Sequence, residues 1–178
     1  AALRASAYGP LQIMFPMVGS LEDIRKAKEY LNLAKEQLKE RKQQFDEQIR
    51  IGIMIEIPAI ALIADLAAEE VDFASIGSND LTQYLSAADR MNPEVAAYYK
   101  SDSTAMLRLL GFVFREFSKR EKEISVCGEM AGNPETAQLL VGLGARKLSM
   151  SSGNIAGVKA KLAECTLQEL TALAEKKL

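Results

Sequence analysis

Two short segments of this 178-residue chain bring reactive side chains together with glycines: Gly77-Ser78-Asn79-Asp80-Leu81-Thr82-Gln83-Tyr84 and Ser125-Val126-Cys127-Gly128-Glu129-Met130-Ala131-Gly132. An Asn-Asp pair and a cysteine between small residues add little to a core and much to a site. Asp80, with Glu56 at the end of another apolar run, supplies two hard oxygen donors. That number suits Mg²⁺, which takes one or two protein carboxylates and completes its shell with water and substrate oxygens. A substrate rich in anionic oxygens would follow. Asn79 can donate its amide to a phosphate or carboxylate oxygen, and Arg90 offers a permanently charged fork for the same group. Cys127, beside a metal-bound anion, could exchange a proton with carbon.

Each of these residues also has a plainer reading. Glu56 can pair with a nearby arginine or lysine, Asp80 can cap a helix, Asn79 can form a turn, Arg90 can be a solvated surface charge, and Cys127 can be an inert buried thiol. The chain contains no histidine. The commonest general base and phospho-acceptor is therefore missing from any chemistry confined to these residues.

Positioning these groups requires strand ends. Gln12 to Val18, Ile51 to Ile57, Phe73 to Gly77, Ile124 to Cys127 and Lys147 to Met150 read as five short strands, apolar on both faces. Helical patterns lie between and after them: Leu21 to about Phe45 behind Ser20, Ala59 to Glu69 after Pro58, and a helix after Gly77 that Asp80 could cap. Pro93 to about Tyr99, Ser103 to Arg120, Asn133-Pro134 through Leu143, and Leu167 to about Lys176 behind Thr166 follow. Repeated strand–helix units with apolar strands predict an α/β fold of parallel strands covered by helices, with the chemistry at the carboxyl ends of the strands. A complete (β/α)₈ barrel takes about 250 residues. Five units fit either a barrel without its opening units or a smaller open sheet.

Composition narrows the function classes. The chain is 48% hydrophobic and 26% charged with a formal charge of −2, so it reads as one globular domain over residues 1–178 without the basic patch that nucleic acid or an anionic membrane demands. Two cysteines make no disulfide framework, which fits a reducing, cytoplasmic setting. No apolar run reaches the roughly 18 to 20 residues of a membrane span. The start at Ala1, without an initiator methionine or a signal-type apolar stretch, reads as a cut from a larger polypeptide.

Arg4-Ala5-Ser6-Ala7, Ile13-Met14-Phe15-Pro16-Met17, Gly52 through Ala59, Asp72 through Tyr84, Asp89-Arg90 and Cys127 through Gly132 together resemble the phosphoenolpyruvate (PEP)-binding barrel of enzyme I, the phosphoenolpyruvate-protein phosphotransferase family of bacterial sugar phosphotransferase systems. The Phe15-Pro16-Met17 and Leu81-Thr82-Gln83-Tyr84 wording favours it over pyruvate phosphate dikinase. The resemblance implies a (β/α)₈ barrel of which about five carboxyl-terminal units are present. It implies Mg²⁺ held by Glu56 and Asp80, phosphate bound by Asn79 and Arg90, and Cys127 as proton donor to the enolate that becomes pyruvate.

It further implies a phosphohistidine domain elsewhere in the same protein, through it the phosphocarrier protein of the system, and a homodimer. This chain alone is not expected to complete the transfer. Ser78 stands where the family commonly has threonine, and Ser152-Gly153-Asn154 departs from its pattern. A Mg²⁺-dependent lyase or aldolase, and a non-catalytic metabolite-binding dimerisation module, are the competing readings.

Overall fold

The computed structural model describes residues 1–178. Four strands, β1 (Gln12–Phe15), β2 (Arg50–Ile55), β3 (Phe73–Gly77) and β4 (Glu123–Cys127), form one parallel sheet in the order β1-β2-β3-β4. The α/β parallel architecture expected from the strand–helix alternation is present, and the sheet is open. The fifth expected strand is reduced to a single parallel bridge, Val126↔Leu148, closed by Val126 N–H to Lys147 O (3.0 Å) and Ser149 N–H to Val126 O (2.8 Å).

The two faces of the sheet differ. Ile53, Ile55, Ala74, Ile76 and Val126 point to the helices and are fully buried there. The other face, carrying Met14, Met54, Ser75, Ser125 and Cys127, lines an open cleft of about 570 Å³. The strands are thus apolar and buried on the helix side only, where the sequence had suggested both.

The chain forms ten α-helices: α1 (Ala2–Ala5), α2 (Leu21–Glu40), α3 (Pro58–Leu62), α4 (Ala64–Glu70), α5 (Ser78–Ser86), α6 (Thr104–Lys119), α7 (Glu129–Gly132), α8 (Pro134–Leu143), α9 (Ser152–Ala163) and α10 (Leu167–Glu175). Ser20 and Asp23 form a capping box on α2, and Thr166 with Glu169 does the same on α10. Asn133 caps α8 with Pro134 at its first position.

Four elements differ from expectation, each for a local reason. Helix α2 stops at Glu40 because Lys42 turns left-handed (φ 55°) and Gln43 N–H closes back on Leu38 O at 2.9 Å. The alanine-rich helix breaks at Ile63 (φ −115°, ψ 34°) into α3 and α4, whose Ala61, Ala64, Ala67 and Ala68 pack fully buried. Pro93–Tyr98 is a 3₁₀ turn with no buried side chain, so it has no apolar face to hold a longer helix. Helix α9 occupies the stretch where no helix was expected. Its two glycines and single buried side chain, Val158, give no apolar stripe to read.

The core joins the buried sheet face to α3, α4, α5, α6 and α8 through Phe114, Phe117, Met106, Leu110, Leu81 and Leu140. Each such fully buried side chain contributes about 1.5–3 kcal/mol relative to exposure. Glu70 ties α4 to α2 by accepting from Lys28 (2.8 Å) and Arg25 (3.0 Å). At the amino ends of the strands Glu123 pairs with Lys147 and, at 3.4 Å, with Arg50. No helix is long and apolar enough to cross a membrane.

Candidate functional site

Glu56, the residue after β2, is 7% exposed and makes no salt bridge. Its Oε1 accepts the Met17 N–H at 2.7 Å, which draws the loop after β1 over the end of β2. Every fully buried side-chain oxygen and nitrogen has a hydrogen-bond partner, so Glu56 Oε2, which has none, retains contact with solvent. The carboxylate lies against Gly77, the last residue of β3. A methyl group there would stand 2.9 Å from Glu56 Oε2 and 3.0 Å from its Cβ. Glycine at position 77 is therefore a requirement of close approach.

Gly77 is also the ladder partner of Cys127. Glu56 and Cys127 thus flank one glycine on the cleft face of the sheet. The thiol is half-buried, free of any disulfide, and donates to Ile76 O (3.4 Å), with Met54 Sδ 3.8 Å away. Ser78 Oγ donates to Cys127 O at 2.7 Å, fastening the start of α5 to the end of β4. Gly128 follows with φ 103°, a conformation that any side chain would strain, and Ser78 and Asn79 occupy the space its side chain would need.

Helix α5 begins at Ser78 with Gly77 as cap residue, so Asp80 does not cap the helix. It lies in the first turn, where the helix dipole favours a negative charge, and Asp80 Oδ1 pairs with Arg90 Nη1 at 3.1 Å. Arg90 is anchored through its own N–H to Gln83 Oε1 at 3.1 Å. Asn79 Oδ1 accepts the Glu129 N–H at 3.0 Å. Asn79 and Cys127 line one polar hollow of about 380 Å³ with Glu129, Ser149 and Asn154, a volume in the range of small-ligand sites.

The five residues singled out in the sequence therefore fall at neighbouring strand and helix ends. Glu56 and Cys127 meet at Gly77, Asn79 and Cys127 share a hollow, and Asp80 and Arg90 form a pair. Other groups hold them: Met17 through its backbone, Ser78, Gln83, the Glu129 amide and Tyr99, of which the motifs in the sequence contain all but Tyr99 without revealing these contacts. Tyr99 donates its hydroxyl to Asn79 O at 3.1 Å. Burial, with the Glu129 charge, pushes the Tyr99 phenol above its usual range, partly offset by Arg90. Backbone donors leave no trace in side-chain type, and Tyr99 follows a turn without periodicity.

No three histidine, cysteine or acidic side chains gather in a metal-holding group. A buried carboxylate without a cationic partner and with one oxygen open, as at Glu56, is a costly arrangement in isolation and a fitting one beside a cation.

The family model "PEP-utilising enzyme, PEP-binding domain" matches residues 1–167. Multiphosphoryl transfer protein 2 of Escherichia coli is 47% identical over 167 residues, 94% of this chain and 20% of its own length. The phosphoenolpyruvate-protein phosphotransferases of Priestia megaterium and Bacillus subtilis are 44% and 43% identical over 96% and 99% of this chain, which spans 30% and 31% of theirs. The chain spans less than a third of each of these relatives. With nearly all of its length matched and its polar strand ends gathered on one side of a parallel sheet, the chain belongs to the PEP-utilising enzyme family as a PEP-binding domain.

Proposed function

We propose that this chain is the carboxyl-terminal, PEP-binding part of a phosphoenolpyruvate-protein phosphotransferase. The observation that carries the reading is that Glu56 lies against Gly77, the ladder partner of Cys127, that Cys127 shares a hollow with Asn79, and that Asp80 pairs with Arg90 beside them. The sequential strand order with helices on one face supports reading the open sheet as an arc of a (β/α)₈ barrel. The remaining strands, and the open cleft they would enclose, belong in this reading to the rest of the protein.

Glu56 and Asp80 would hold Mg²⁺, which when bound would supply positive charge against the phosphoryl group in transfer. Asn79 donates its amide to a phosphate oxygen, and Arg90 leaves Asp80 to bind the same group through its guanidinium fork. The acceptor, as the family resemblance implies, is a histidine of a phosphohistidine domain in the same protein, in keeping with the lack of histidine in this chain. The P–O bond of PEP breaks as the P–N bond to that imidazole forms, leaving the enolate of pyruvate. Cys127 Sγ–H then gives its proton to the methylene carbon, and the thiolate regains one from water. From the histidine the phosphoryl group passes to a phosphocarrier protein. A cytoplasmic homodimer is carried over from the family resemblance.

Calorimetric titration with PEP, with and without Mg²⁺, tests the reading on the protein and on an Asp80→Ala variant. Metal-dependent binding that the variant lacks is expected. Binding that is indifferent to both metal and variant would overturn it.

A further inference from the structure

Residues 89–100 run beside the site as a largely exposed segment. Met91 and Tyr98 are 81% and 71% exposed, and the turn Pro93–Tyr98 buries nothing. Tyr99 is the exception in character: an aromatic ring turned inward, its hydroxyl donating to the main-chain carbonyl of Asn79 at 3.1 Å. From the other side the Glu129 N–H donates to Asn79 Oδ1 at 3.0 Å. Asn79 is thereby held at both of its carbonyl oxygens, one in the backbone and one in the side chain. With Oδ1 spoken for, the orientation of the amide is fixed, and the Nδ2 hydrogens are those left to face a ligand.

We propose that Tyr99 is a positioning residue: by holding the Asn79 backbone it fixes the direction in which the Asn79 amide donates to a phosphate oxygen. The inference rests on the reading of Asn79 as a phosphate ligand. A donor held in place before the ligand arrives spends no binding energy on ordering, which is where such a contact acts. Burial and the neighbouring Glu129 charge hold the phenol proton on above its usual range. The hydroxyl therefore stays a donor at neutral and mildly alkaline pH.

The test is a double-mutant cycle on the full-length protein, reading the Kd for PEP by calorimetry with Mg²⁺ present. Tyr99→Phe keeps the ring and removes one oxygen. It is expected to raise the Kd about three- to tenfold, the effect of one hydrogen bond of ordinary net strength. Asn79→Ala is expected to raise it at least as much, and the double variant no further than Asn79→Ala alone. Mn²⁺ affinity without PEP is expected to stay as in the parent.

A wild-type Kd for Tyr99→Phe, or an equal loss in the Asn79→Ala background, would overturn the positioning role and leave the site reading standing. A wild-type Kd for Asn79→Ala would overturn the site reading and this inference with it. A fluorinated tyrosine at position 99, whose hydroxyl ionises at lower pH, supplies a readout independent of Phe-variant folding. PEP affinity is expected to fall as that hydroxyl loses its proton, and a flat profile through the titration counts against the proposal.

Discussion

Arg90 Nη1 stands 3.1 Å from Asp80 Oδ1, so the side chain proposed for phosphate and one of those proposed for metal are paired with each other. Both are partly exposed, and such pairs are worth about 0.2–1 kcal/mol. A cation arriving at Asp80 and a phosphate arriving at Arg90 break the same bond, which makes each the other's enabling event. Arg90→Leu is therefore expected to tighten Mn²⁺ binding about two- to fivefold without PEP and to weaken PEP binding with metal present. Electron paramagnetic resonance titration of free Mn²⁺ checks the first half and calorimetry the second. Metal binding unchanged by the substitution would mean that the pair does not gate the site.

Cys127 donates only a weak bond to Ile76 O, 3.4 Å away, so its proton is available to a ligand in the hollow it shares with Asn79. Cys127→Ala should leave PEP affinity within about twofold and slow pyruvate release about 10²-fold or more, the range of general acid catalysis. Stopped-flow detection of pyruvate after a single turnover separates the two effects. Pyruvate formed at the parent rate would remove Cys127 from the mechanism.

Gly77→Ala tests the seat of Glu56. The added methyl group would stand 2.9 Å from Oε2, closer than side-chain carbons tolerate, against a carboxylate tied to Met17. The expected cost is about 1–3 kcal/mol of stability, with weaker Mg²⁺-dependent PEP binding. Glu56→Gln, which keeps the shape and loses the charge, should abolish the metal dependence with a smaller change in melting temperature. If Glu56→Gln binds PEP with the same dependence on Mg²⁺, Glu56 is a structural residue.

Acid sensitivity follows from the carboxylates that tie elements together. Lys28 and then Arg25 hold Glu70 below its ordinary value of 4.5, and Lys147 does the same for Glu123. A carboxylate whose folded pKa is depressed adds stability that is fully present above its unfolded value and is lost as pH falls through the folded one. Melting temperature is thus expected to hold steady down to about pH 5 and to decline below it. Glu70→Gln should melt lower at pH 7 and show a shallower acid decline. Parallel declines in parent and variant would assign the acid sensitivity to other groups.

Much of this organisation is legible in the sequence because it depends on side-chain type. Asn133-Pro134 marks the start of α8, Thr166 with Glu169 marks α10, and alternating strands and helices give a parallel sheet. Glu56, Asn79, Asp80, Arg90 and Cys127 stand out as polar groups at the ends of apolar runs. What the sequence leaves dark is carried by the backbone or by partnership. The arrest of α2 depends on a left-handed Lys42, a residue with no special liking for that conformation. The weak bridge at Leu148 depends on what lies beyond it in space, and Asp80 looks like a cap until the helix is seen to start two residues earlier.

The bond from Met17 N–H to Glu56 Oε1 gives the site its own spectator. An amide proton donated to a carboxylate at 2.7 Å, heavy atom to heavy atom, is deshielded by that charge. Its resonance is expected to move when the carboxylate shares its charge with a cation. Met17 itself, left-handed at φ 55° and exposed, carries no chemistry. In a nitrogen-proton correlation spectrum its single resonance would follow occupancy of the neighbouring strand end without any label placed in the site.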